Sequence, residues 1–152
     1  MRIKEFDKQF AGHIPKLQDS TSSYAVLVPL IFHSGEPHLL FEVRSDSLGR
    51  QPGEVCFPGG RMEQGETPVQ AALRETTEEL SIPADAVRPI AELDFLYHQS
   101  GSLIHPVLGE IKDKDLKKYL RLSEAEVKET FLVPFSFFTK TKPMLYSYDL
   151  EP

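Results

Sequence analysis

Gly59–Ile82 reads GGRMEQGETPVQAALRETTEELSI, a glycine loop running directly into an acidic helix. Thr67 can cap, Pro68 suits the first helical position and Gln70 completes a Thr-x-x-Gln capping box, so the helix is expected to begin at Thr67. At about 100° per residue, Val69, Ala72, Leu73, Thr76 and Leu80 gather into one packing stripe, while Glu75, Glu78 and Glu79 fall on a separate face. Carboxylates spaced i, i+3 and i+4 repel, which weakens an isolated helix by roughly a few tenths of a kcal/mol per close pair. A divalent cation reverses that penalty.

Between Gly60 and Ile82 the acids Glu63, Glu66, Glu75, Glu78 and Glu79 outnumber the bases Arg61 and Arg74. Hard oxygen ligands of this kind suit Mg2+ or Mn2+. A solvated acidic face is the competing reading of the helix taken alone. The preceding glycine pair favours a ligand site, because missing side chains let the backbone approach a ligand closely.

The segment runs Gly60, five residues, Glu66, seven residues, then Arg74-Glu75-Thr76-Thr77-Glu78-Glu79-Leu80-Ser81-Ile82. This resembles the Nudix box, G-x5-E-x7-R-E-U-x-E-E-x-G-U, where U is a bulky aliphatic residue. Thr76 stands at an aliphatic position and Ser81 at the final glycine; these departures touch packing and the helix exit rather than ligand positions. The resemblance implies an α/β fold, the Nudix-type α/β/α sandwich with a mixed central sheet. It also implies Mg2+ or Mn2+ held by Glu75 and Glu79, with Glu78 and the Gly60 carbonyl assisting. Arg74 would pair with Glu66 or Glu78 and so orient the ligands.

Upstream, Arg44-Ser45, then Arg50 in a loop, then Gly53-Glu54-Val55-Cys56-Phe57-Pro58-Gly59-Gly60 close on the same glycine pair. This extended pattern resembles the coenzyme A diphosphatase branch of the family. It implies hydrolysis of the pyrophosphate bond of coenzyme A or its thioesters, giving 4′-phosphopantetheine or its acyl form and adenosine 3′,5′-bisphosphate. Arg44, Ser45, Arg50 and Phe57 become substrate-binding candidates, and Glu78 and Glu126 catalytic ones, Glu126 as general base in a Glu-Val pair that the branch carries. Without the resemblance, the residues imply metal-assisted diphosphate hydrolysis and no more. Two alternatives stay open: a pyrophosphatase for ADP-ribose or a dinucleotide, which shares the box, and a non-catalytic nucleotide-binding module. The intact Glu75, Glu78 and Glu79 speak against the module. Members of the branch usually continue through a further strand and a C-terminal helix, so residues 1–152 read as a single domain lacking those elements.

At 152 residues the chain fits one domain. A formal charge of −6 and no block of Lys and Arg argue against nucleic acid as partner, leaving a small diphosphate bridged by metal, with a homodimer as an open alternative. The single cysteine, Cys56, excludes an intramolecular disulfide, and no N-terminal apolar run resembles a signal peptide, so a reducing, cytoplasmic location is expected. The longest apolar run, Tyr24–Phe32, is about half the length of a membrane span.

The remaining elements follow from periodicity. Ile3, Phe6 and Phe10 suggest a docking helix over residues 2–10, before a linker at Asp19–Ser22. Tyr24–Phe32 reads as a buried strand in which Pro29 implies an edge or a bulge, and His38–Ser45 as a strand delivering Arg44 and Ser45 to its end. Glu54–Phe57, Val87–Tyr97 and Leu103–Lys112 complete the strands, the last two joined around His98–Ser102. Asp115–Leu120 reads as a helical turn, Ser123–Glu126 as a Ser-x-x-Glu cap, and Pro134–Thr139 as a short helix whose three phenylalanines close the core. A last strand is expected to start near Tyr146. No second ligand residue stands at zinc-site spacing from His98 or His105 in the sequence, so zinc is not indicated.

Overall fold

The computed structural model describes residues 22–98 and 101–147. The helix expected over residues 2–10 lies outside them, as does most of the linker, Ser22 being already the first residue of a strand. In chain order the elements are β1 (Ser22–His33), β2 (Glu36–Arg44), β3 (Val55–Cys56), β4 (Gly59–Arg61), α1 (Pro68–Leu80) and a 3-10 turn (Ala84–Ala86). There follow β5 (Val87–Glu92), β6 (Leu96–His98), β7 (Ser102–Ile111), α2 (Asp113–Tyr119), β8 (Val127–Pro134) and α3 (Phe135–Lys140). Among the described residues the strands form one mixed sheet whose main path is β3-β2-β1-β7-β5, with β4 beside β1, β6 beside β7 and β8 beside β2.

β1 is the centre of this sheet. The apolar run that builds it alternates, with Ala25, Leu27 and Ile31 buried on one face, where they meet Leu40, Val107 and Ile111 from the sheet and Ala71, Ala72 and Leu80 from α1. Each large aliphatic side chain fully buried here contributes roughly 1.5–3 kcal/mol. β7 runs parallel to β1 from Ser22 to Leu30 along one edge, while the other edge is shared by β4, at Tyr24–Val26, and β2, at Leu30–His33. Pro29 therefore stands in a central strand, not at an edge. The Leu27 N–H donates to the Pro58 carbonyl at 2.8 Å on the shared edge, and strand alternation aims the Pro29 nitrogen the same way, into the gap between β4 and β2.

The expected strand Val87–Tyr97 is broken at Leu93–Phe95 into β5 and β6, both antiparallel to β7. The Ser-x-x-Glu stretch caps no helix: the Glu126 and Val127 N–H groups both donate to the Ser123 carbonyl, making a turn that opens β8. α3 forms over the expected residues, but Phe135, Phe137 and Phe138 are 44, 53 and 46% exposed, so they do not close the core. Tyr146 and Ser147 belong to no strand, and the residues after them lie outside the described ones.

Candidate active site

α1 starts as its sequence dictates: the Thr67 hydroxyl accepts from the Gln70 N–H at 3.2 Å and the Gln70 side chain accepts from the Thr67 N–H at 2.9 Å. The helix packs over β1 and β4, and β4 is strapped to β1 by the Leu27–Pro58 bond and by the Met62 N–H donating to the Ser23 carbonyl at 2.9 Å. The glycine pair makes this approach feasible. A Cβ on Gly59 would lie 2.3 Å from the Ala25 carbonyl oxygen, and one on Gly60 only 2.4 Å from the Glu75 carboxyl carbon. Backbone and helix carboxylates therefore touch, and the Gly59 N–H donates to Glu79 Oε2 at 2.9 Å.

The three helix glutamates do not share one environment. Glu79 is buried, 4% exposed; Glu75 is largely covered, and Glu78 is open to solvent. Burial pushes the Glu79 carboxyl up to about 9, with Glu42 adding like-charge repulsion and the Gly59 N–H opposing the shift. Glu75 is also raised, by burial first, against the pull of the Arg74 guanidinium.

Arg74 is fully engaged. Its Nε and Nη2 grip Glu66 at 2.8 and 3.0 Å, Nη1 donates to Glu75 at 2.7 Å and reaches Glu78 at 3.5 Å, and Nη2 also donates to the Arg61 carbonyl at 3.1 Å. This hydrogen bonding holds the Glu66 carboxyl down at about 2, helped by the Glu63 N–H, and raises the guanidinium further above its usual range. Beside it an open cleft of about 500 Å³ is lined by Arg61, Met62, Glu63, Gln64, Arg74 and Glu75.

The loop from Arg44 to Gly53 is closed by its own backbone, the Arg44 N–H donating to Glu54 and the Gly53 N–H to Arg44. Ser45 is buried, its N–H donating to the Glu126 carbonyl at 2.8 Å, and its hydroxyl meets Ser47 at 2.9 Å. The turn before Glu126 is itself hung on the end of α1, with Arg121 and Ser123 N–H groups donating to Leu80 and Glu79 carbonyls. Glu126 thus reaches the cluster electrostatically, adding repulsion at Glu42, Glu75 and Glu79. Arg50 is exposed on the loop. The Phe57 ring stacks on Phe41 at 4.6 Å between centroids, so its visible work is packing.

Glu42, absent from the sequence-derived site, is buried in the same region, only 1% exposed. Burial pushes its carboxyl up to about 7, opposed by the Cys56 thiol, which donates to Oε1 at 3.5 Å, and by Arg44. Glu42 Oε2 and Arg44 Nε are buried with no hydrogen-bond partner among the described residues. The available signal was strand alternation in HLLFEVRS, which sets Glu42 on the same face as the buried Leu40.

The donor set suits the divalent cation expected from the sequence: carboxylates, a backbone carbonyl and an orphaned buried oxygen. As they stand, no three acidic, histidine or cysteine side chains among the described residues are gathered to hold a metal. Arg74 Nη1 takes only Oε1 of Glu75 and the Gly59 N–H only Oε2 of Glu79, so each carboxylate keeps a second oxygen that a cation could use.

A protein-family model described as NUDIX domain matches residues 22–141. The chain is 39% identical over 120 residues to the peroxisomal coenzyme A diphosphatase NUDT7 of Mus musculus, an alignment covering 78% of this chain and 50% of that protein. It is 35% identical over 140 residues to the human mitochondrial coenzyme A diphosphatase NUDT8, covering 91% of this chain and 59% of that protein. It therefore spans about half to three fifths of the length of these relatives. A solved C. elegans Ap4A hydrolase binary complex superposes with a TM-score of 0.62 at 22% identity, covering 79% of this chain and 85% of that one, which establishes likeness of fold. No helix among the described residues is long and apolar enough to cross a membrane.

Proposed function

The chain belongs to the Nudix family, and from that premise we propose that it hydrolyses the pyrophosphate bond of coenzyme A or an acyl-CoA. Nudix hydrolases generally require a divalent metal such as Mg2+. The observation that carries the reading is the joining of Arg44–Gly60, the segment that resembles the coenzyme A branch, to the acidic helix: the Gly59 N–H donates to the Glu79 carboxylate, while the Ser45 N–H donates to the backbone carbonyl of Glu126. The names of the relatives at 39 and 35% identity agree with it.

A cation held by Glu75 and Glu79, with Glu78 and the Gly60 carbonyl assisting, would neutralise the diphosphate and acidify a bound water. Glu126 accepts a proton from the attacking water, and the water's oxygen bonds to one phosphorus as the bridging oxygen leaves with the other phosphate. Arg74, spent on Glu66 and Glu75, orients those carboxylates. Arg44 and Arg50 contact substrate phosphates, Arg44 having the buried Nε without a protein partner among the described residues. For location we propose the cytoplasm, on the free thiol of Cys56.

The test is a panel with Mg2+ comprising coenzyme A, 3′-dephospho-coenzyme A, ADP-ribose, NADH and nucleoside triphosphates. The expected outcome is a kcat/KM for coenzyme A above all others. Preference for ADP-ribose or a dinucleotide overturns the substrate, and binding without turnover overturns the enzyme.

A further inference from the structure

We infer that Glu42 is an additional carboxylate of the cation site, contributed by the central sheet against the helix glutamates. The inference rests on the cation-binding reading above and extends it to a residue outside the Gly60–Ile82 segment. Glu42 is 1% exposed, and it lies on the face of β2 that packs towards α1, in line with the core residue Leu40. An apolar side chain there would be buried at no electrostatic cost, whereas an isolated carboxylate in such a place is strongly unfavourable.

The protein partners do not offset that cost. Oε1 receives only a thiol, a weak donor, at 3.5 Å, and Arg44 eases the charge without coming within hydrogen-bond distance of Oε2. Glu79, 4% exposed on α1, is near enough to repel Glu42 as a like charge, and Cys56 lies within electrostatic reach of both. Two buried carboxylates on facing elements, one with an oxygen aimed at no protein donor among the described residues, form a locus that a small divalent cation satisfies. Glu42 would then join Glu75 and Glu79 in holding the cation.

The test is Mn2+ binding to metal-free protein, followed by electron paramagnetic resonance of the free ion, in wild type, Glu42→Gln, Glu79→Gln and Glu92→Gln, the last an exposed control on β5. Glu42→Gln should weaken the Mn2+ Kd by about 10–100-fold, as loss of a supporting ligand does, while Glu92→Gln leaves it unchanged. Wild-type affinity in a folded Glu42→Gln protein, with Glu79→Gln weakened, overturns the inference alone. Wild-type affinity in both variants overturns the cation site with it. Should Glu42→Gln fail to fold, the anomalous signal of Mn2+ in wild-type crystals decides. An ion bonded to a Glu42 oxygen at roughly 2.2 Å, or joined to it through one bound water, supports the inference; an ion with Glu42 outside both shells overturns it.

Discussion

Arg74 and Arg44 carry the same charge into opposite surroundings. Every face of the Arg74 guanidinium is committed, to Glu66, Glu75, Glu78 and the Arg61 carbonyl, so it has little left for a substrate. Arg44 keeps a buried Nε unpaired among the described residues, and its neighbour in the site, Glu42, does not reach it. On the proposed function, Arg44 is the arginine with bonding capacity left for a substrate phosphate. Coenzyme A differs from its dephospho form by one phosphate, and a charge-assisted contact to it contributes roughly 1.5–3 kcal/mol, on the order of ten- to a hundredfold in kcat/KM. Arg44→Ala should therefore erase the preference for coenzyme A over 3′-dephospho-coenzyme A, and Arg50→Ala, on an exposed side chain, should change it less. An unchanged substrate ratio in both variants removes the 3′-phosphate from either arginine. The resemblance implied that Arg74 pairs with Glu66 or Glu78, and it reaches both. The Arg44 Nε left unpaired among the described residues was not legible, because whether a strand-end arginine meets an acid depends on which loops fold over it.

At the scale of the element, α1 is the most legible part of the chain because its signals are local. The capping box forms between Thr67 and Gln70 as spaced, and Ser81, at the position where a glycine was the expected helix exit, adopts the left-handed conformation with φ 58°. Thr76, the other departure, is buried and its hydroxyl is satisfied by the Ala72 carbonyl at 2.7 Å, so it disturbs nothing. Serine in the left-handed region is strained where glycine is not, which makes Ser81→Gly stabilising by about 0.5–1 kcal/mol after the entropy of the unfolded glycine is counted. Thermal unfolding checks this: the melting temperature should rise by a few degrees, and a fall would show that the Ser81 side chain has a role that its backbone angle hides. What local periodicity missed was the split among Glu75, Glu78 and Glu79. The helical wheel puts them on one face, yet the layer that decides their exposure is β4, and the approach of β4 depends on Gly59 and Gly60 lying against β1 and Glu75. Pro29 and the three phenylalanines of α3 were misjudged for the same reason, since a strand partner or a covering layer is set by residues far away in sequence.

Over the whole molecule, the site concentrates acid where the fold buries it, and that couples stability to both pH and metal. Glu79 and Glu42 have carboxyls pushed by burial up to about 9 and about 7, against an ordinary value of 4.5. A carboxyl raised in the folded state keeps its proton while the unfolded chain has already released it, so the native state binds more protons between about pH 4.5 and 9. Stability from these groups is full below about pH 4.5 and declines as pH rises towards 9. Glu66 works in the other direction: held down at about 2 by Arg74, it stabilises above 4.5 and is lost only as pH falls towards 2, outside that window. Metal-free protein in chelator should therefore show a melting temperature that falls from about pH 5 to about pH 9. A cation needs ionised carboxylates, so its binding tightens as pH rises, and saturating Mg2+ should flatten or invert the slope. Melting curves across that range, with chelator and with millimolar Mg2+, read the difference directly. Two parallel curves would mean that the cation does not use these buried carboxylates, and that Glu42 and Glu79 are carried by the fold for another reason.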